Sequence, residues 1–383
     1  MNTNNKRPSF TNFPIPFDHP YTIPVLSIAV GASALFYYSL QAQHKAELRE
    51  AVRLEIIKKR KKHFSNNNRV KRYASLKIDG QYVNPFEEWQ PSASSSSLIS
   101  KFHTTWTYFK RLLRKDTMVI KTQILSTISP LTNKSSQQRE ISSFTWLGHS
   151  CCLFDLRSGI KILTDPISSK QIPCQITELC RIINSVLVTH QHTNHLDEDT
   201  VLKIGNGVTW YIPLGLKSWF LHRGIDNVIE MDWWQETQYH NERSNSNEEI
   251  SIICVPAMHE SIGASSRKNE SLCGSTGYVP NLFHAIFDKY GPFTLATLPM
   301  GDSGDNSTSS LIHMKPEDAL KAHIDLGPPT LSVGIHWSSS ESTSTTEMTT
   351  KGGPLDYAQT YDHNEGSDGL IAMKIGQTIF LDN

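Results

Sequence analysis

The residues best suited to chemistry lie in one short stretch, INSVLVTHQHTNHLDED, where an apolar run ending at Thr189 delivers His190, His192 and His195. Neutral imidazole is a good ligand for Zn²⁺, a borderline-soft cation held by nitrogen at about 2.0–2.1 Å. Several imidazoles leaving one strand end can converge on a single ion without distorting the sheet that carries them. Three unrelated solvated histidines are the weaker reading of this spacing. Asp165, in ILTDP, and Asp197, just after the histidines, have two uses open to them. Each could orient a ligand imidazole from behind or cap a turn or helix.

Elements that could position such a cluster follow from the periodicity around it. Phe144 to Leu156, Lys161 to Thr164 and Ile182 to Thr189 are short apolar or alternating runs separated by turn residues, which predicts strands. Helical pieces such as Pro316 to His323 alternate with them, and no repeat of fixed period is present. This alternation predicts a layered α/β sandwich. The pair Trp233 and Trp234 suits either a lipid interface or core packing.

The first part of the chain has another character. Tyr21 to Leu40, YTIPVLSIAVGASALFYYSL, carries no charge, and about 20 apolar residues are what a helix needs to cross a bilayer. Lys45, Arg49, Arg53, Lys58, Lys59, Arg60, Lys61 and Lys62 follow at once, against Lys6 and Arg7 before it. By the positive-inside rule this keeps the rest of the chain on the cytosolic or matrix side. Leu48, Val52 and Ile56 recur every four residues, which puts them on one face of a helix. The start, MNTNNKRPSFTNF, has basic residues and no acid before Asp18, which keeps the mitochondrial inner membrane among the destinations. The expected organisation is a polar tail over 1–20, a hydrophobic anchor helix over 21–41 and a domain over 99–383. Between them, 42–98 holds a basic juxtamembrane helix, a lead-in and the Ser-rich linker PSASSSS at Pro91 to Ser97. A formal net charge of zero gives no indication of nucleic acid as a partner. Six scattered cysteines without a CxxC pair favour a reducing compartment.

Longer motifs carry a resemblance. The strand followed by His190, His192, Asn194 and His195 is similar to the HxHxDH arrangement of metallo-β-lactamase-fold hydrolases, with Asn where that family has Asp. TWLGHSCCLFDL at Thr145 to Leu156, ILTDP, and DGQYVNPFEEW at Asp79 to Trp89 resemble the phospholipases D that hydrolyse N-acylphosphatidylethanolamine. CVPAMH ending at His259, the stretch Thr276 to Gly301, HMKPEDALKAH at His313 to His323 and GIHW at Gly334 to Trp337 follow in the same order. The resemblance implies a four-layer αβ/βα sandwich behind the N-terminal anchor helix. It implies one zinc on His190, His192 and His259, a second with contributions from His195 and His336, and an active-site histidine at His313. It also implies a phospholipid substrate cleaved to N-acylethanolamine and phosphatidic acid, a membrane as partner, and a homodimer as an assembly to consider.

Two departures divide the functional expectation. Asn194 and Ser275, the latter in GSTGY where the family has GDTGY, replace both metal-binding carboxylates with neutral side chains. An amide is no base, and a serine hydroxyl is a poor ligand unless ionised. Weaker binding at the second metal is the first expected consequence, so one or two Zn²⁺ ions are open. A zinc-dependent phosphodiesterase and a catalytically impaired lipid-binding relative both fit. Asp302 and Asp305, in MGDSGDNS, offer replacement carboxylates or merely a polar loop.

Overall fold

A computed structural model describes residues 21–64, 68–89, 142–167, 179–240, 249–259, 276–301, 312–337 and 369–381. The polar tail, the Ser-rich linker, Ser275, Asp302, Asp305, Cys174 and Cys273 lie outside the described residues. The chain divides into two units, Met1–Leu54 and Glu55–Asn383.

Helix α1, Thr22–His63, is continuous through the apolar stretch and the basic run. Pro24 falls in its first turn, where a missing N–H breaks no internal bond. Within the first unit Ile23, Ile28, Val30, Leu35 and Phe36 are exposed. The helix is long and apolar enough to cross a membrane.

In the second unit, Ile56 packs against Leu76, Ile78 and Val83 of a hairpin formed by β1, Leu76–Ile78, and β2, Gln81–Val83. Asp79 and Gly80 make the turn, both with positive φ, as a two-residue Asp-Gly hairpin requires. Arg60 donates to the carbonyls of Ala74 at 2.6 Å and Ser75 at 3.2 Å. Tyr73 and Phe86 then dock the lead-in on the domain. Trp234 Nε1 donates to Tyr73 O at 3.2 Å and the Phe86 and Trp233 rings lie 5.7 Å apart. The two tryptophans therefore serve packing.

The main sheet contains β3, Ser142–Gly148, β4, Cys151–Asp155, β5, Lys161–Thr164, β6, Ser185–Leu187, β7, Thr209–Pro213, β8, Val228–Met231, and β14, Thr378–Leu381. Its order is β14-β3-β4-β5-β6-β7-β8, antiparallel up to β5 and parallel from there. A second sheet pairs β11, Leu295–Pro299, β12, Leu331–Ile335, and β13, Leu370–Ala372, in parallel, and β9, Glu236–His240, and β10, Glu249–Ile253, form a hairpin. Both faces of the main sheet are buried, as the alternation in β4 demands. Cys151 and Leu153 join one core with Val201, Ile204 and Phe220 from the helices over that face. Cys152 and Phe154 join the other, with Val333 and Ile335 of the second sheet and Ala285 and Ala322 of its helices. Helices therefore flank two sheets in the αβ/βα sandwich expected.

One predicted strand is two. The run from Phe144 to Leu156 breaks at a turn through His149 and Ser150, and the register shifts between Trp146 and Gly148. Gly148 takes φ 116° and His149 φ 49°, positive values that close the turn.

Candidate metal centre

Parallel pairing of β5 with β6 sets Thr164 beside Leu187, so the segments leaving both strands run side by side. Asp165 follows β5 and its N–H donates to Leu187 O at 3.0 Å. Its carboxylate, 1% exposed, accepts from Thr189 N at 2.8 Å, Thr189 Oγ1 at 2.6 Å and His195 Nδ1 at 2.7 Å. Asp197 serves otherwise, capping the helix Glu198–Ile204 through Thr200 N. Sequence alone left both uses open to both residues, and the structure separates them.

These bonds dictate which ring nitrogens carry lone pairs. His195 gives its Nδ1 proton to Asp165, so Nε2 is an acceptor. The Thr189 hydroxyl is committed to Asp165, so its oxygen accepts from His190 Nδ1 at 3.1 Å, leaving a lone pair on His190 Nε2. His259 donates Nδ1–H to Ile312 O at 3.0 Å, which leaves the ring's lone pair on Nε2. His190 Nε2 lies 2.8 Å from His192 Nδ1, and His259 Nε2 lies 3.3 Å from the same atom. A proton on His192 Nδ1 can point at one of these acceptors but not both. Converging lone pairs repel unless a cation stands among them. Nitrogens on a tetrahedral ion at bond lengths of 2.0–2.1 Å would be about 3.3 Å apart, close to the spacing found.

His190, His192 and His259 thus form one group whose ligand atoms lie within 4.8 Å of one another, and His149, His195 and His336 form a second. The rings of His190 and His195, 4.0 Å apart, join the two groups. His313 lies alongside both, its ring 5.0 Å from His259 and 5.2 Å from His336. Every histidine singled out from the sequence is brought into this cluster. The member that sequence reasoning missed is His149. Its signal was the Gly-His pair inside TWLGHSCC, concealed because the segment reads as one unbroken strand.

Burial, and secondarily the neighbouring imidazoles, lowers the pKa of His149 to about 3 and that of His192 to about 4. The same causes hold His190, His259 and His336 well below the ordinary histidine range. These rings are therefore neutral at pH 7, the protonation state a metal ligand needs. His149, Asp165 and His336 also adopt positive φ, at 49°, 39° and 64°. Such backbone costs about 1–3 kcal/mol per residue and persists only where its surroundings enforce it. At His336 the enforcement includes Gly301, since a Cβ there would stand 1.8 Å from His336 O. The donor set fits a divalent cation on the orientation of its lone pairs and on its neutral protonation state.

Comparison with known proteins agrees with this geometry. Residues 160–337 match the family described as "Beta-lactamase superfamily domain". These residues make up a little under half of the chain, and the match supports a metallo-β-lactamase-type domain there. The chain is 28% identical over 373 residues to the mitochondrial N-acyl-phosphatidylethanolamine-hydrolyzing phospholipase D of Saccharomyces cerevisiae, covering 79% of this chain and 76% of that protein. It is also 28% identical over 272 residues to N-acyl-phosphatidylethanolamine-hydrolyzing phospholipase D 1 of Caenorhabditis elegans, covering 60% and 74%. A UPF0173 metal-dependent hydrolase of Caldivirga maquilingensis is 28% identical over 202 residues, covering 50% of this chain and 80% of its own.

Two outcomes are expected. Asp165→Asn presents an amide hydrogen where the carboxylate accepted one, so the tautomers of His190 and His195 are no longer enforced. Competition with a chromophoric chelator should show zinc affinity reduced about 10–100-fold, and an unchanged affinity would contradict the assignment of Asp165. The second outcome concerns pH in the metal-stripped chain. The five shifted histidines have pKa values below the unfolded value of 6.5, so the folded state binds fewer protons. Their contribution to stability is complete above pH 6.5 and is lost as pH falls toward about 4. Thermal unfolding of the stripped chain at stepped pH should show the melting temperature dropping across that window, whereas a flat profile would contradict it.

Proposed function

We propose that this chain is a membrane-anchored, zinc-dependent phosphodiesterase that hydrolyses N-acylphosphatidylethanolamine to N-acylethanolamine and phosphatidic acid. The observation that carries the reading is the convergence of imidazole lone pairs at the strand ends of a metallo-β-lactamase fold, in a chain whose relatives include two N-acylphosphatidylethanolamine-hydrolysing phospholipases D. His190, His192 and His259 would hold one zinc, and His195 and His336 would contribute to the second. When bound, zinc supplies Lewis acidity toward a phosphoryl oxygen and toward water. The protein's own part is orientation and proton handling. Asp165 fixes His195 and, through Thr189, His190. His313 stands beside both groups, where its imidazole can exchange a proton with the leaving alcohol oxygen. Neutral imidazoles leave much of a dication's charge uncompensated, and this favours an anionic phosphodiester over a neutral substrate.

The exposed apolar part of helix α1 supports a membrane anchor, and the basic residues after it support a domain on the cytosolic or matrix side. The mitochondrial designation of the yeast relative supports a mitochondrial location, within which the inner membrane is the proposed site.

A second reading, an impaired lipid-binding relative, is favoured by Asn194. Its side-chain nitrogen lies 2.9 Å from His149 Nε2, where a carboxylate at this position could have ligated or served as base. Among the described residues the carboxylate touching the cluster is Asp165, which already accepts three hydrogen bonds. The test is release of N-acylethanolamine from vesicles of N-acylphosphatidylethanolamine by the zinc-loaded full-length chain, with His190→Ala as control. Turnover at least about 100-fold above the control is expected, a loss in keeping with the removal of a metal-held group that acts in the transition state. Release equal to the control would leave the lipid-binding reading.

A further inference from the structure

Resting on the reading of the cluster as a metal centre, we infer that His149 is a ligand of the second cation, completing with His195 and His336 a site built only of imidazoles. His149 stands in the turn between β3 and β4, far in sequence from the histidine loop, and is absent from the ligand set that the motifs imply.

Geometry supplies the first argument. The ligand atoms of His149, His195 and His336 lie within 4.8 Å of one another. His149 Nε2 is 3.2 Å from His195 Nε2, close to the separation of about 3.3 Å for two nitrogens on one tetrahedral ion. The ring centroids are 4.0 Å apart for His149 and His336 and 4.8 Å apart for His149 and His195.

The second argument is how the backbone is held. His149 O accepts from His336 N at 2.9 Å and from Trp146 Nε1 at 3.0 Å, so the two outer ligands are tied to each other through the main chain. Both take left-handed φ, a conformation non-glycine residues rarely adopt. Trp146 and Trp337, 5.0 Å apart and buried, brace the two segments from behind. A solvated turn histidine would need none of this.

The third is the state of the ring. Because His195 Nδ1–H is committed to Asp165, His195 Nε2 offers only a lone pair to His149. A proton on His149 Nε2 could satisfy that contact, yet His149 Nδ1 would remain buried without a hydrogen-bond partner among the described residues. That orphan is the same whether a proton or a cation occupies Nε2, and what a shared cation relieves is the facing of two Nε2 lone pairs 3.2 Å apart. Asn194, in place of the family's aspartate, faces His149 Nε2 at 2.9 Å. In this chain the imidazole would stand in for the missing anionic ligand.

The test is cobalt(II) binding to the metal-stripped full-length chain in detergent, followed by calorimetric titration and by visible and near-ultraviolet absorption. The expected result is two equivalents bound by the wild type, with the second weakened at least about tenfold in His149→Ala while the first is unchanged. His149→Cys places a thiolate at the same position and should introduce a sulfur-to-cobalt charge-transfer band absent from the wild type, which already contains Cys151 and Cys152. Two equivalents bound by His149→Ala as tightly as by the wild type, with no such band in His149→Cys, would overturn the role of His149 and leave the proposed function standing. No cobalt bound by the wild type would overturn both.

Discussion

Asp165 is the fixed point of the centre. Its carboxylate receives a backbone N–H, a hydroxyl and an imidazole N–H in a place almost closed to solvent. Hydrogen bonds to a carboxylate are worth about 1.5–3 kcal/mol each, and the energy matters less here than the directions they impose. By accepting from His195 and from Thr189, which in turn accepts from His190, one residue turns two imidazoles so that their lone pairs face the same space. The parallel pairing of the two strands that end at Thr164 and Leu187 brings the partners together. The strained φ of Asp165 is part of the same arrangement.

What the centre lacks shapes its chemistry as much as what it has. Carboxylates in a two-metal site offset charge and offer a base, and neither is supplied by Asn194. Neutral rings hold a cation without neutralising it, so the local field remains positive and its attraction for phosphate is correspondingly strong. The same substitution removes the simplest proton acceptor beside the site, so on the proposed reading proton transfer would fall to His313 or to the substrate itself. On the proposed reading, a chain tethered by a long apolar helix would meet its substrate in the plane of a bilayer, where the local lipid concentration is high.

Much of this was legible in the sequence, for identifiable reasons. His190, His192 and His195 stood out because three imidazoles crowd into six residues directly after an apolar strand-like run. His259, His313 and His336 came only from the resemblance, since nothing in their own spacing links them to the loop. The helix at Pro316 was legible from its proline and first-turn acids. His149 was not, because Phe144 to Leu156 alternates as a single strand would, and the break depends on left-handed values at Gly148 and His149 that hydrophobic pattern does not encode. The separate duties of Asp165 and Asp197 were equally hidden. Both follow histidine-rich or strand-end sequence, and only three-dimensional pairing shows that one turns a ligand while the other caps a helix. The tryptophan pair was decided by its neighbours Tyr73 and Phe86, residues distant in sequence that no local pattern connects to it.

The central claim is that these imidazoles converge because they hold a metal ion. X-ray absorption fine structure at the zinc edge, recorded on the zinc-loaded full-length chain after removal of loosely bound ion, tests it most directly. The account predicts a nitrogen shell at about 2.0–2.1 Å with the outer-shell scattering of imidazole rings and no sulfur contribution at about 2.3 Å. A spectrum of zinc surrounded by water alone, or one dominated by sulfur, would contradict it.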